Sequence, residues 1–183
     1  MRASPAAGHA ASVDPEAPFS VRLEGARDGN AWALAALYRT LQPKLLRYLA
    51  VRDPNGADEV AAQVWRDVSV GLKTFAGGEA EFTAWTFALA RRQLVQRRAF
   101  GDCSVGDDRV LRRFEERTQA ALRCLGGLPD DEADVFLLRV VAGLSADEVA
   151  WIVGKPRSVV RSLQQRALER LVQSRGRARE LVA

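Results

Sequence analysis

The sequence predicts an all-α protein, built as two small helical domains joined by a flexible linker. Three observations lead there. Apolar residues recur at three- and four-residue intervals through most of the chain, and no stretch of useful length alternates as a half-buried strand does. Clusters of Gly, Pro and Asn cut this periodicity into helix-sized pieces. The run GDCSVGDD at 101–108 is polar and acidic, composition shifts on both sides of it, and it reads as the linker. The expected organisation is a disordered tail at 1–18, a first domain at 19–100, the linker at 101–108, a second domain at 109–175 and a C-terminal tail at 176–183.

The tail MRASPAAGHAASVDPEAP has no continuous apolar core and carries three prolines, so it is not read as a secretory signal. A short helix is expected over 19–26, ended by Asp28-Gly29-Asn30. Asn30 can cap the next helix, 31–51, whose stripe of Trp32, Leu34, Leu37, Tyr38, Leu41, Leu45, Tyr48 and Leu49 faces the core. Pro43 lies inside that run and should kink or cut it. After the turn cluster at 52–56, a helix over 57–75 rests on Val60, Val64, Trp65, Val68 and Leu72. Asp58 and Glu59 in its first turn favour the helix N-terminus electrostatically. They also suit a docking surface for a positively charged partner, and spacing alone does not choose.

Ala76-Gly77-Gly78 breaks the chain again before a helix over 80–100 with Phe82, Trp85, Leu89, Leu94 and Val95. Its end is basic: Arg91, Arg92, Arg97 and Arg98. Aromatic rings beside a glycine-hinged loop, followed by arginines, match what single-stranded nucleic acid requires. On composition alone, core aromatics with helix-terminal charges are the better account.

The second domain opens with a helix over 109–125, closed by Gly126-Gly127. A Leu-Pro start leads into an apolar helix over 131–141, stopped by Gly143. Ser145 caps a helix over 146–153, with Glu148 placed to close a capping box. Gly154 ends it, Pro156 fits a first helical turn, and a third helix runs over 157–173. Two helices across a short Gly-containing turn, the second rich in Arg and Gln, form the pattern of a helix-turn-helix that reads the major groove. Eight basic residues between Lys155 and Arg179 face a single acid, Glu169, which suits phosphate neutralisation. A solvated basic face on an ordinary bundle would look similar, but the capped helix and tight turn favour DNA.

The formal charge of +4 and a pI near 9.6 fit an anionic partner. Cys103 and Cys124 lack zinc or disulfide spacing, and no apolar run approaches a membrane span, so a cytoplasmic protein without metal or cofactor is expected. His9, the lone histidine, lies in the tail; no phosphate-binding glycine loop and no nucleophile–base pair is present, which argues against an enzyme.

Several stretches together resemble a bacterial sigma factor of the extracytoplasmic-function (ECF) group within the sigma-70 family. FLLRVVAGLSADEVAWIVG at 136–154 and VVRSLQQRALERL at 159–171 are similar to the family's region 4. ALAALY at 33–38, ADEV at 57–60, FTAW at 82–85 and LAR at 89–91 are similar to parts of region 2. The chain departs from the pattern where Ala62-Gln63 replaces Gln-Glu, where Trp65 replaces Phe, and where Arg92 and Gln96 replace Asn and Asp.

The resemblance implies RNA polymerase core enzyme and promoter DNA as partners, and an anti-sigma protein as a further candidate. It implies polymerase binding through Asp58, Glu59, Gln63 and Trp65. It implies capture of unstacked −10 bases by the 75–82 loop with Phe82 and Trp85, and phosphate contacts from Arg91, Arg92, Arg97 and Arg98. Lys155, Arg157, Ser158, Arg161, Ser162, Gln165 and Arg166 would serve the −35 element, with Val159, Val160 and Leu163 facing the core. Two rival readings remain at this level: a stand-alone helix-turn-helix regulator, and a degenerate sigma-like adaptor that does not initiate transcription.

Overall fold

A computed structural model of the protein describes residues 17–99 and 110–180, the last six of these by their backbone alone. Eight α-helices lie among the described residues: α1 (Phe19–Arg27), α2 (Ala31–Arg52), α3 (Ala57–Gly71), α4 (Glu79–Ala99), α5 (Glu116–Gly126), α6 (Asp130–Val140), α7 (Ala146–Val153) and α8 (Arg157–Glu180). No strand occurs among those residues, so the expected all-α class is what is found. The linker expected at 101–108, with Cys103, and nearly all of the expected N-terminal tail fall outside the described residues.

Sequence and structure agree on most boundaries to within two residues, and the exceptions have local causes. α2 continues through Pro43. That proline is exposed, so the carbonyl it deprives of a helical donor can turn to water. α3 ends at Gly71 instead of running to 75. There Arg27 reaches across from α1 and donates to the carbonyls of Leu72 and Phe75, holding the 72–78 connection out of helix. The first helix of the second domain is broken into a 3₁₀ turn (Leu111–Arg113) and α5, because Phe114 is extended at φ −98°, ψ 155°. α8 extends past the expected 173 to Glu180.

In the first half, α2 packs against α1, α3 and α4. Tyr48, Phe82, Phe87, Leu37, Leu45, Leu49, Val60, Val64 and Val68 are its fully buried side chains, contributed by α2, α3 and α4. In the second half α6, α7 and α8 pack around Leu137, Leu138, Val149, Val160 and Ala167. The halves touch. α2 meets α5 and α6, α4 meets α7, and one apolar cluster runs through both. No helix among the described residues is long and apolar enough to cross a membrane.

Candidate nucleic-acid interface

The helix-turn-helix is held by local chemistry. The Ser145 hydroxyl accepts from the Glu148 backbone N–H at 3.2 Å, and the Glu148 carboxylate accepts from the Ser145 N–H at 2.6 Å, completing the capping box. Gly154 ends α7 in the left-handed region at φ +66°, where a Cβ would be strained. Val160, Leu163 and Ala167 then recur at helical spacing and are buried at 0%, 5% and 0% exposure, fixing the rotation of α8. That rotation turns Arg157, Ser158, Arg161, Ser162, Gln165 and Arg166 to solvent as one surface.

Val159 is a correction. It was expected to face the core with Val160 and Leu163, yet it is 37% exposed. At 100° per residue Val159 falls between Arg166 and Leu163, at the margin of the packed side on which Val160 and Ala167 are central. An apolar contact point therefore borders the polar strip.

The basic residues here differ in what they already hold. Lys155 pairs with Asp131 at 3.0 Å, Arg157 with Asp147 at 3.1 Å, and Arg166 approaches the buried Glu132 at 3.9 Å beside Arg170 at 2.9 Å. Arg161 has no ion pair or hydrogen bond among the described residues. Its guanidinium is the freest to approach a base edge or a phosphate.

In the first half, the aromatic residues separate into two roles. Trp85 is half-buried and stacks on Phe75 with ring centroids 5.1 Å apart at 24°. Its indole lies so close to Gly71 that a Cβ there would come within 2.6 Å of it. Phe82 is 1% exposed and meets Phe19, Phe75 and Trp85 edge-on or tilted. The expectation that Phe82 contacts DNA is thus corrected: its ring supports Trp85 and Phe75 from within the core and has no face to offer a base.

The four arginines of α4 do not form one track. Arg91 approaches Asp134 at 3.4 Å, and Arg98 pairs with Asp130, both on α6. Arg92 pairs with Asp67 at 3.1 Å on α3, and Arg97 with Asp53 at 3.1 Å and Glu59 at 2.7 Å. Seven residues bring Arg91 and Arg98 back to one side of the helix, whereas Arg92 and Arg97 lean toward α3. The expectation of a joint phosphate surface is corrected on that geometry. Burial opposes the charge on Asp67, but hydrogen bonds from Gln63, Gln93 and Arg92 outweigh it and hold the carboxyl below the usual range.

On α3, Asp58 and Glu59 are exposed as expected. Each is paired: Asp58 with Arg113 at 2.7 Å, Glu59 with Arg97. Gln63 is half-buried and spends its amide within the helix, donating to Asp67 at 2.9 Å and accepting from Arg66 at 2.7 Å. Trp65, expected to bind polymerase, is a correction. It is 9% exposed, its indole N–H donates to Gln42 at 2.7 Å, and its ring lies 5.0 Å from Tyr38. Trp65 ties α3 to α2. The outward side of α3 is instead Asp58, Ala62, Arg66, Ser69 and Val70, the last 80% exposed. Their spacing of three and four residues was the signal that could have found them.

Fold and site together define a helical DNA-binding protein of the helix-turn-helix class. A family model described as "Sigma-70, region 4" matches residues 118–171, from within α5 into α8. The ECF RNA polymerase sigma factor ShbA of Streptomyces griseus subsp. griseus is 30% identical over 168 residues, covering 79% of this chain and 88% of the relative. The ECF RNA polymerase sigma factor SigD of Mycobacterium tuberculosis is 28% identical over 164 residues, covering 78% and 77%. Among solved structures, CnrH in complex with the cytosolic domain of CnrY superposes with a TM-score of 0.62 at 20% identity, covering 88% of this chain and 96% of CnrH, a likeness of fold. The chain belongs to the ECF sigma factors of the sigma-70 family.

Proposed function

We infer that this sigma factor directs promoter-specific initiation by RNA polymerase in the cytoplasm, with work divided between the 19–100 and 109–175 domains. The observation that carries the reading is the outward strip of α8, Ser158, Arg161, Ser162 and Gln165, bordered by Val159 and anchored by Val160, Leu163 and Ala167. A strip of this composition suits major-groove base edges: Arg for guanine, Gln for adenine, and an apolar contact for a thymine methyl. It would take the −35 element. The Phe75–Trp85 platform would take unstacked bases of the −10 element, since stacking offsets the cost of flipping a base. The exposed side of α3 from Asp58 to Val70 would dock on polymerase. A protein partner, an anti-sigma protein, belongs to the same reading, as CnrH is found with the cytosolic domain of CnrY.

Run-off transcription with core polymerase over a promoter library tests it. The expected result is initiation at a defined subset that shares an upstream and a downstream element. Binding to core without initiation would favour an adaptor, and tight operator binding without polymerase would favour a stand-alone regulator.

A further inference from the structure

Arg27 is the last residue of α1, and its side chain leaves its own helix to reach the connection between α3 and α4. Nε donates to the Leu72 carbonyl at 3.3 Å, and Nη2 donates to the Phe75 carbonyl. No carboxylate among the described residues pairs with this guanidinium. Its polar contacts are spent on the backbone of one loop. The helix that bears it is itself seated: Leu23 and Ala26 are buried, and α1 packs along α2.

The loop so held is the one that presents Phe75. Its start is fixed by the Phe75 N–H, which donates to the Gly71 carbonyl at 3.0 Å, and by the Thr74 hydroxyl, which donates to the same carbonyl at 3.2 Å. Its end is fixed by the Gly78 N–H, which donates to the Glu81 carboxylate at 3.0 Å. Between these points Lys73, Thr74, Ala76 and Gly77 are exposed, with little packing of their own. The Arg27 bond to the Phe75 carbonyl is therefore the tertiary contact that holds the middle of the loop, at the residue whose ring stacks on Trp85.

We propose that Arg27 is a positioning residue for base capture, holding Phe75 against Trp85 before DNA arrives. This rests on the reading that the Phe75–Trp85 platform takes unstacked bases of the −10 element. Unstacking a base costs free energy, and a loop that had to order itself in the same step would add to that cost. A guanidinium suits the task because its planar fork offers separate donors to two carbonyls three residues apart, whereas a lysine ammonium is a single point. Arg27 itself touches no base; it acts through Phe75.

The test uses the full chain with core polymerase, and the probe is the labelled non-template strand of the strongest promoter from the run-off library. Arg27→Lys, which keeps the charge and loses the fork, should weaken probe binding about tenfold, as expected if the released loop is competent one-tenth of the time. Core affinity should not change. Phe75→Ala should weaken the probe as well, and adding Arg27→Lys to it should cost nothing more, because the two residues act as one unit. With 5-fluorotryptophan at the four tryptophans, the Trp85 fluorine resonance, assigned by its loss in Trp85→Phe, should move in Arg27→Lys while those of Trp65 and Trp151 stay in place. Circular dichroism checks folding, and Arg27→Gln, with the same expected loss, serves should Arg27→Lys unfold. If Trp85→Ala binds the probe as the parent does, or if no promoter initiates, the platform reading falls. If Trp85→Ala weakens the probe but folded Arg27→Lys and Arg27→Gln do not, the positioning role falls alone. An undiminished Arg27→Lys loss in the Phe75→Ala chain, or an equal loss of core affinity, also overturns it.

Discussion

Tyr48 on α2 donates its hydroxyl to Asp134 on α6 at 3.2 Å, joining two residues 86 positions apart in a fully buried contact. The phenol ring packs edge-on against Phe87, 5.6 Å away, so the same side chain serves the core and the junction between halves.

Tyr48→Phe keeps the ring and removes the donor. It should cost about 1.5 kcal/mol, near the low end for a hydrogen bond to a charged group, since Arg52 and Arg91 still surround Asp134. Urea denaturation would read it. Burial, then the Asp134 charge, pushes the Tyr48 hydroxyl well above its ordinary value. The unfolded chain therefore releases this proton first as pH rises, and stability should fall above about pH 10. The absorbance step of the Tyr48 phenolate should coincide with loss of helicity.

Acid should weaken the junction between the halves. Burial opposes the charge of Asp130, but the hydrogen bond and charge of Arg52, together with Arg98, hold its carboxyl below the ordinary range. A carboxylate with a lowered folded pKa stabilises above its unfolded value of about 4 and loses that contribution as pH falls through the folded value. Thermal melts between neutral pH and pH 3 should show the loss, and Asp130→Asn should flatten the part that Asp130 supplies.

Phe82→Ala and Trp85→Ala should differ in kind. Emptying the fully buried Phe82 site should cost about 3–5 kcal/mol of stability. Trp85→Ala should cost less stability and lose more single-stranded DNA binding in the polymerase complex. If Phe82→Ala kept its stability and lost only DNA binding, the assignment of Phe82 to the core would be wrong.

Gly154→Ala should destabilise the second half by about 1 kcal/mol, through the left-handed backbone alone, since no atom lies within 4 Å of the added Cβ. Gly154→Asn should cost less. Denaturation of the full chain would compare the two.

Arg161→Ala should lower discrimination at one position of the upstream promoter element by about 1–3 kcal/mol and leave core binding intact. Competition transcription across single-base promoter variants measures it. Loss of core binding instead would place the polymerase surface on α8.

Much of this protein was decided locally. Ser145 with Glu148, Gly154 and the recurrence of Val160, Leu163 and Ala167 determine α7, its stop and the rotation of α8. Capping bonds span three residues and the glycine constraint is steric within one, so both can be read from the chain. The same locality made the helices of the first half legible through their apolar spacing. Phe82 and Trp85 were not separable that way. They lie less than one turn apart on an aromatic-rich helix, and only the arrival of Phe19, Phe75 and Gly71 decides which ring is enclosed. Trp65 is the same case, settled by Gln42 and Tyr38 on another helix. The arginines of α4 depended most on tertiary structure. Their charge is written in the sequence, but a guanidinium takes whichever carboxylate the fold brings near. For Arg91 and Arg98 those carboxylates lie 43 and 32 residues away, on α6.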